Sequence, residues 1–209
     1  MAEKQLLRKE RERLRHRREI LETALKMFSE RGFHNVSMQE IAEESEFSVG
    51  TLYNFFESKE SLFAALMGSC ARRVSEILIP ILEEKVDERQ RISNYIKTHE
   101  QIIADHVPSI RLYLSQNIAS ALTARLDAEP ETDAVRDVIH RKLSGIFKSG
   151  VRKGIFKDID PWIAALSLSA MLESFVFAVI RSPGQISVED GLSIVEEIFF
   201  KGSLRHSST

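Results

Sequence analysis

The sequence predicts an all-α fold of about nine helices, and two features of the chain lead to this prediction. Glycine and proline are sparse, at 9 and 5 of 209 residues, and strand-like alternation is hard to find. Long segments instead repeat apolar residues at intervals of three and four, which is the period of an amphipathic helix. With 43% hydrophobic and 29% charged residues, the composition is that of a globular protein rather than a disordered or fibrous one.

Local start signals place the individual helices. Ser37 and Glu40 have the spacing of a capping box, with Val36 and Ile41 at the two positions of a hydrophobic staple. Ser48 repeats this logic as the N-cap of the next helix. The predicted helices cover about 10–31, 38–45, 49–56, 59–80, 88–105, 108–121, 131–153, 161–181 and 188–201, and loops are predicted at 126–130 and 183–184.

The near-neutral net charge of −2 hides a strong asymmetry. Residues 1–18 hold eight Lys/Arg against three Glu, which leaves 21 positive and 28 negative residues in the rest of the chain. Such a basic arm, which includes Arg15 and Arg18, is typical of nucleic-acid binding. A solvated helix start held together by Glu–Arg pairs is an equally good interpretation of the arm by itself.

The first three helices have the pattern of a helix-turn-helix, because two short helices follow a longer one across a tight turn. In this motif the second short helix enters the major groove of DNA. Leu52 and Phe56 are four residues apart and are expected to anchor that helix to the core, while Gly50 would allow a close approach to the duplex. The outer surface carries side chains that can hydrogen-bond to DNA: Thr51, Tyr53 and Asn54.

The segments from Ser37 to Ala42 and from Phe47 to Phe63 closely resemble the tetracycline-repressor (TetR) family, with the hallmark sequence running from Gly50 to Phe63. The resemblance is specific over roughly residues 15–65, and the rest of the chain matches in length and helical character. It implies phosphate contacts from Ser37, Tyr53 and Lys59. It also implies contacts with bases or the groove from Gln39, Ser48, Val49, Gly50, Thr51 and Asn54.

Two features of this DNA-binding segment are unusual. Members of the family often have Tyr or His at the position of Phe55, so a customary hydrogen bond to the DNA backbone is expected to be missing. Residues 19–60 also hold only three Lys/Arg against nine Glu, and DNA would repel so acidic a segment. We therefore expect the basic arm to supply most of the electrostatic attraction, at neighbouring phosphates or in the minor groove.

The resemblance divides the chain into a DNA-binding domain, residues 1–57, and a helical domain for ligand binding and dimerisation, residues 58–209. It implies a homodimer on double-stranded, palindromic operator DNA, closed by a four-helix interface from the last two long helices, where we place Phe177 and Phe199. It also implies a cavity for a small apolar ligand. The candidate lining residues are Phe63, Met67, Ile103, Tyr113, Phe147, Met171, Glu173 and Phe175.

The segment 161–181 is apolar on nearly every face, and its length approaches that of a membrane span. Glu173 at mid-depth argues against a span, and a helix buried on all sides has the same pattern. We interpret Glu173 as a carboxylate at the dimer interface. The alternative interpretation is that Glu173 is a polar anchor for the ligand. No membrane partner is expected.

Other site chemistries have little support in the sequence. The six histidines lack metal-ligand spacing, and His99 and His106, seven apart, are interpreted as pocket or surface residues. The single Cys70 excludes a disulfide framework, and it favours a cytoplasmic location together with the charged, leader-free residues 1–18. No catalytic or cofactor motif is found, so we expect no metal, no cofactor and no enzyme. Two functions remain: a ligand-released repressor, and a helical binding or membrane-associated protein that uses the helix-turn-helix only structurally.

Overall fold

The computed structural model describes residues 2–117 and 130–203, and the side chains of residues 8–112 and 132–203. Over these ranges the chain forms eight α-helices and one short 3-10 helix, Phe33–Asn35, which confirms the all-α fold. The α-helices are α1 Ala2–Arg31, α2 Met38–Glu44, α3 Val49–Phe55, α4 Lys59–Leu82, α5 Glu88–Asn117, α6 Pro130–Arg152, α7 Pro161–Arg181 and α8 Val188–Ser203.

The count of helices differs from the prediction because α5 joins two predicted helices. Its backbone leaves helical geometry only at His106, with φ −124° and ψ 16°. Pro108 follows two residues later, and an interior proline lacks an N–H and crowds the preceding turn. The predicted break at this point is therefore a kink. The predicted helix end at 121 and most of the loop at 126–130 lie outside the described residues.

The first helix is longer than predicted, since α1 already begins at Ala2. The arm is rich in Arg, Lys, Glu and Leu, which are strong helix formers. Ion pairs one turn apart support it further: Arg8 Nε lies 3.1 Å from Glu12 Oε1, and Arg15 Nε lies 3.5 Å from Glu19 Oε1. The basic residues of the arm consequently belong to one continuous helix.

The chain divides into two compact units, one formed by Met1–Cys70 with Arg111–Glu129 and the other by Ala71–Ile110 with Pro130–Thr209. The core of the first unit includes the fully buried Ile20, Phe28, Ile41 and Leu52. These residues come from α1, α2 and α3, so the three helices of the predicted motif share a single core.

In the second unit, α6 and α7 pack together around Leu143, Phe147 and Leu168. The ring of Phe147 lies 5.2 Å from that of Phe156 and 5.5 Å from that of Phe199. The placement of Phe199 at a dimer interface is therefore wrong, because this side chain is buried in the core of its own unit. The sequence of α8 has two apolar faces, and periodicity alone does not distinguish the inner one from the outer one.

Among the described residues, α7 is the one helix long and apolar enough to cross a membrane, by length and composition alone. The N-cap Asp160 begins this helix by accepting hydrogen bonds from the N–H groups of Trp162 and Ile163. Leu168 and Leu172 are buried in the core of the second unit. A core helix passes the same test of length and composition, so the apolar segment is weak evidence for a span.

Candidate nucleic-acid interface

The start of α2 is fixed by the predicted capping box, which the structure confirms. Glu40 N–H donates to Ser37 Oγ over 3.2 Å, and Ser37 N–H donates to Glu40 Oε2 over 2.8 Å. Arg31 also donates to the Glu40 carboxylate. The hydrogen bonds from Arg31 and then from Ser37 lower the pKa of Glu40 to about 2. The carboxylate that caps α2 is therefore ionised throughout the physiological range.

A tight turn separates α2 from α3. Glu46 adopts a left-handed conformation, with φ 59°, and Phe47 N–H donates to Ala42 O over 2.9 Å. Ser48 then caps α3 as predicted, because its Oγ accepts from Thr51 N–H over 3.0 Å. The Ser48 and Thr51 hydroxyls also lie 2.8 Å apart. Part of the hydrogen-bonding capacity that the resemblance assigns to DNA is thus used inside the helix start.

The two faces of α3 differ as the sequence predicts. Leu52 is fully buried and Phe56, the C-cap residue, is nearly so. On the opposite side, the side chain of Tyr53 is 50% exposed and Asn54 is exposed next to it. Tyr53 and Asn54 are therefore presented to solvent, whereas Thr51 is half-buried and the apolar side chains of α3 hold it to the core.

Gly50 lies on the exposed side of α3 with no packing reason to be glycine. A Cβ added there would meet only Ser48 Oγ, at 3.9 Å, which is an ordinary van der Waals distance. Its backbone is not in the left-handed region that favours glycine. The structure therefore leaves open space at Gly50 that a closely approaching surface could use.

The three cations within residues 19–60 all have partners inside the first unit. Lys26 Nζ lies 3.0 Å from Glu44 Oε1, and Arg31 is paired with Glu40. Lys59 Nζ donates to the backbone carbonyls of Phe33 and Val36, both over 3.0 Å. The ammonium of Lys59 thus closes the segment around the 3-10 helix, so its predicted phosphate contact would have to use its remaining N–H.

The basic half of α1 packs against the helix-turn-helix through aromatic rings. The guanidinium carbon of Arg13 lies 6.0 Å from the centroid of the Phe55 ring, and that of Arg17 lies 5.3 Å from the Phe56 ring. The His16 and Phe47 rings lie 5.0 Å apart. Sequence reasoning missed these contacts, although Arg and His spaced three and four residues apart on one helix face were a visible signal.

Most of the remaining predicted DNA-contacting side chains are also exposed. Ser37 and Gln39 at the start of α2 are exposed, as are Arg15 and Arg18 on α1. Val49 is half-buried at the first position of α3. The predicted residues thus all belong to one unit, while their individual roles stay predictions.

The predicted ligand-lining residues are divided between the two units. In the first unit, the ring of Phe63 lies 5.1 Å from that of Phe33, and Met67 is buried in the same core. In the second unit, Ile103 and Phe147 are buried. Met171 and Phe175 pack against the core of the second unit, and Glu173 is half-buried. The side chain of Tyr113 lies outside the described residues.

A buried polar cluster in the second unit was not predicted. Tyr95 and His99 lie on α5 with their rings 5.0 Å apart, and His99 Nδ1 lies 2.9 Å from Tyr95 O. Burial lowers the pKa of His99 to about 4 and raises that of Tyr95 to about 12. The hydroxyl of Ser169 on α7 is buried beside Tyr95, and its interaction with the Tyr95 hydroxyl opposes part of the rise in the tyrosine pKa. These polar groups stand in an otherwise apolar core.

Residues 20–66 match the family model of bacterial regulatory proteins, tetR family. The chain is 26% identical over 191 residues to the HTH-type transcriptional regulator RutR of Escherichia coli strain K12, covering 90% of this chain and 84% of that protein.

Solved structures share the fold. The transcriptional regulator FadR from Bacillus subtilis in complex with stearoyl-CoA superposes with a TM-score of 0.75 at 19% identity, over 88% of this chain and 97% of that one. AibR in complex with isovaleryl coenzyme A and operator DNA superposes with a TM-score of 0.70 at 20% identity, over 90% and 99% of the two chains. With the family model on the helix-turn-helix, these matches confirm the resemblance: residues 20–66 are a DNA-binding domain of the tetR family of bacterial regulatory proteins, and the chain is a helix-turn-helix transcriptional regulator.

Proposed function

We propose that this protein is a cytoplasmic repressor that binds a palindromic operator as a homodimer and leaves it when a small apolar ligand binds. Residues 1–57 form the DNA-binding domain of this proposal and residues 58–209 the ligand-binding and dimerisation domain. The observation that carries the DNA-binding half is the exposed face of α3, where Gly50, Tyr53 and Asn54 have no packing role in the core.

Base reading is assigned to α3, with Asn54 as its principal residue. An exposed carboxamide can donate and accept at once, and it pairs well with adenine in the major groove. Tyr53, Ser37 and Lys59 are assigned to phosphates, which position the protein without specifying the sequence. Gln39, Ser48, Val49 and Thr51 complete the groove contacts. AibR shares this fold and was solved with operator DNA, which supports DNA binding by the fold but not the role of any single residue.

The homodimer is proposed to form through the outer faces of α7 and α8. Ile163 on α7 is 58% exposed, and Ile194 and Ile198 on α8 are 55% and 57% exposed. Ile194 and Ile198 are one turn apart, whereas Val195 and Phe199 on the same helix are buried. Large aliphatic side chains repeated on one helix face favour a protein partner, and a second copy supplies a matching face under two-fold symmetry.

The ligand is proposed to bind among the helices of the second unit. The FadR and AibR structures that share this fold contain acyl-CoA molecules, which supports an apolar chain as part of the ligand here. A ligand that favours one separation of the two DNA-binding domains of the dimer would weaken DNA binding by a coupling free energy of about 1–3 kcal/mol. The coupling is reciprocal, so DNA must weaken ligand binding by the same factor.

The test of DNA binding is a selection from random duplexes, followed by anisotropy titrations with the selected duplex and a scrambled one. We expect a two-fold symmetric selected site and tighter binding to it than to the scrambled duplex. If neither duplex is bound at low salt, the helix-turn-helix has only a structural role and the proposal fails. Acyl thioesters and fatty acids added to the complex then test release, with Glu173→Gln as the variant that probes a polar anchor.

A further inference from the structure

We propose that Arg13, held over the ring of Phe55, is a binding site for a DNA backbone phosphate beside the recognition helix. Phe55 acts as its positioning residue. The inference rests on the proposed DNA-binding function and adds to it a contact made from α1. None of the contacts assigned above to α2, α3 or α4 includes this pair.

The geometry places two guanidinium groups at the C-terminal end of α3. Arg13 and Arg17 are one turn apart on α1, and they contact the rings of Phe55 and Phe56. Phe55 is the last residue of α3 and Phe56 is its C-cap. Tyr53 and Asn54, the exposed polar residues of α3, lie one and two residues before Phe55 in the sequence. Arg13 is therefore held close to the face that is proposed to read DNA.

The contact between Arg13 and Phe55 leaves the guanidinium free to bind an anion. A cation–π contact uses the face of the planar group, whereas its five N–H donors point outward in the plane. An unrestrained Arg side chain loses rotamer entropy when it binds a partner. A ring that limits its motion beforehand lowers that loss. Phe55 cannot donate a hydrogen bond to a phosphate itself, but it can hold a group that does.

Several neighbouring cations differ from Arg13 because they already have polar partners. Lys26 and Arg31 are paired with glutamates, and Lys59 donates to two backbone carbonyls. On α1, Arg8 is paired with Glu12 and Arg15 with Glu19. Arg13 is exposed and contacts an aromatic ring instead. Among the side chains that the structure describes, no carboxylate is paired with Arg13, so a phosphate that binds there has none of them to displace.

The experiment measures anisotropy over a series of NaCl concentrations, using the selected duplex and a scrambled duplex. Arg13→Gln should flatten the dependence of log Kd on log salt by about 0.9 for each half-site, because one fewer counterion is released there. Both duplexes should lose affinity by the same factor, since a phosphate contact does not read sequence. Arg8→Gln removes the same charge five residues earlier on α1, and it should change the dependence of log Kd on log salt less.

The role of Phe55 is tested by its dependence on Arg13. Phe55→Leu should weaken binding in the same direction as Arg13→Gln, and it should have no further effect in the Arg13→Gln background. Phe55→Tyr keeps the ring and adds only a neutral hydroxyl, so the wild-type salt slope should be retained. Circular dichroism and thermal melting test whether each variant is folded. If Phe55→Leu does not fold, the salt slopes of Arg13→Gln and Phe55→Tyr still test whether Arg13 binds a phosphate.

Two outcomes would overturn the inference. An Arg13→Gln slope equal to that of the wild type would show that Arg13 does not touch a phosphate. Equal effects of Arg13→Gln and Arg8→Gln, with an additive effect of Phe55→Leu, would show a diffuse field from α1 rather than a positioned site. Failure of the wild-type protein to bind either duplex would instead reject the proposed function, so the two failures are distinguishable.

Discussion

Replacing Gly50 by alanine should separate protein stability from DNA binding. Glycine in a helix is about 1 kcal/mol less favourable than alanine. A Cβ at Gly50 would meet only Ser48 Oγ at 3.9 Å, so no strain offsets this gain. We therefore expect Gly50→Ala to raise the free energy of unfolding by up to about 1 kcal/mol. For a chain of this length, that corresponds to a rise in Tm of about 2–4 °C.

DNA binding should change in the opposite direction. If the exposed side of α3 lies against the major groove, the added methyl group occupies space that the duplex needs. Rearranging a packed contact to accommodate a methyl group typically takes about 1–3 kcal/mol, or about 5- to 150-fold in Kd. Anisotropy titration with the selected duplex measures this loss, and thermal melting of the same sample measures stability.

Gly145 provides the matched control. It is exposed on α6 in the second unit, and a Cβ added there meets nothing within 4 Å. Gly145→Ala should therefore give a similar gain in stability and leave the affinity for DNA unchanged. The reasoning is refuted if Gly50→Ala binds the selected duplex as tightly as the wild type. A loss of stability in Gly50→Ala would also contradict it, because the structure shows room for the methyl group.

Three further predictions concern other parts of the molecule. Asn54→Ala should relax preference at one or two base pairs by about 1–3 kcal/mol in competition titrations, and an unchanged preference would remove Asn54 from base reading. Ile194→Arg should give folded monomers in sedimentation experiments, whereas Phe199→Arg should unfold the second unit, and a folded Ile194→Arg dimer would exclude this face as the interface. Burial holds the pKa of His99 near 4, below its usual 6.5, so the unfolded state binds a proton first and stability falls as pH decreases from about 6.5 to 4. Between pH 7 and pH 5 this contributes a loss of about 2 kcal/mol, which His99→Leu should abolish in urea titrations; equal pH dependence in the two proteins would contradict it.

Local signals in the sequence predicted the helices of the helix-turn-helix well. The capping box of Ser37 and Glu40 and the N-cap Ser48 involve residues only three apart, so no distant contact is needed to form them. The apolar pair Leu52 and Phe56 likewise identified the buried side of α3. The boundary near Pro108 was also found, but the sequence does not show whether a proline ends a helix or bends it.

Assignments that depend on distant contacts were less predictable. Val195 and Phe199 face inward on α8 while Ile194 and Ile198 face outward, and both pairs are apolar at helical spacing. Only the packing of α6 and α7 determines which face is covered within the chain. The structural role of Lys59 could not be predicted for the same reason, because its ammonium donates to backbone carbonyls 23 and 26 residues earlier in the chain.

The distribution of charge indicates that α1 provides electrostatic attraction to DNA while α3 provides base reading. The acidic residues 19–60 offer DNA few unpaired cations, whereas the basic residues of α1 reach the end of α3 through Arg13 and Arg17. Phosphate binding is independent of sequence and strongly dependent on salt, whereas base reading by Asn54 depends on sequence. Substitution of the basic residues of α1 should therefore change the salt slope, and substitution of Asn54 on α3 should change the preferred site. A variant of α3 could then acquire a new operator while α1 continues to provide the same electrostatic attraction.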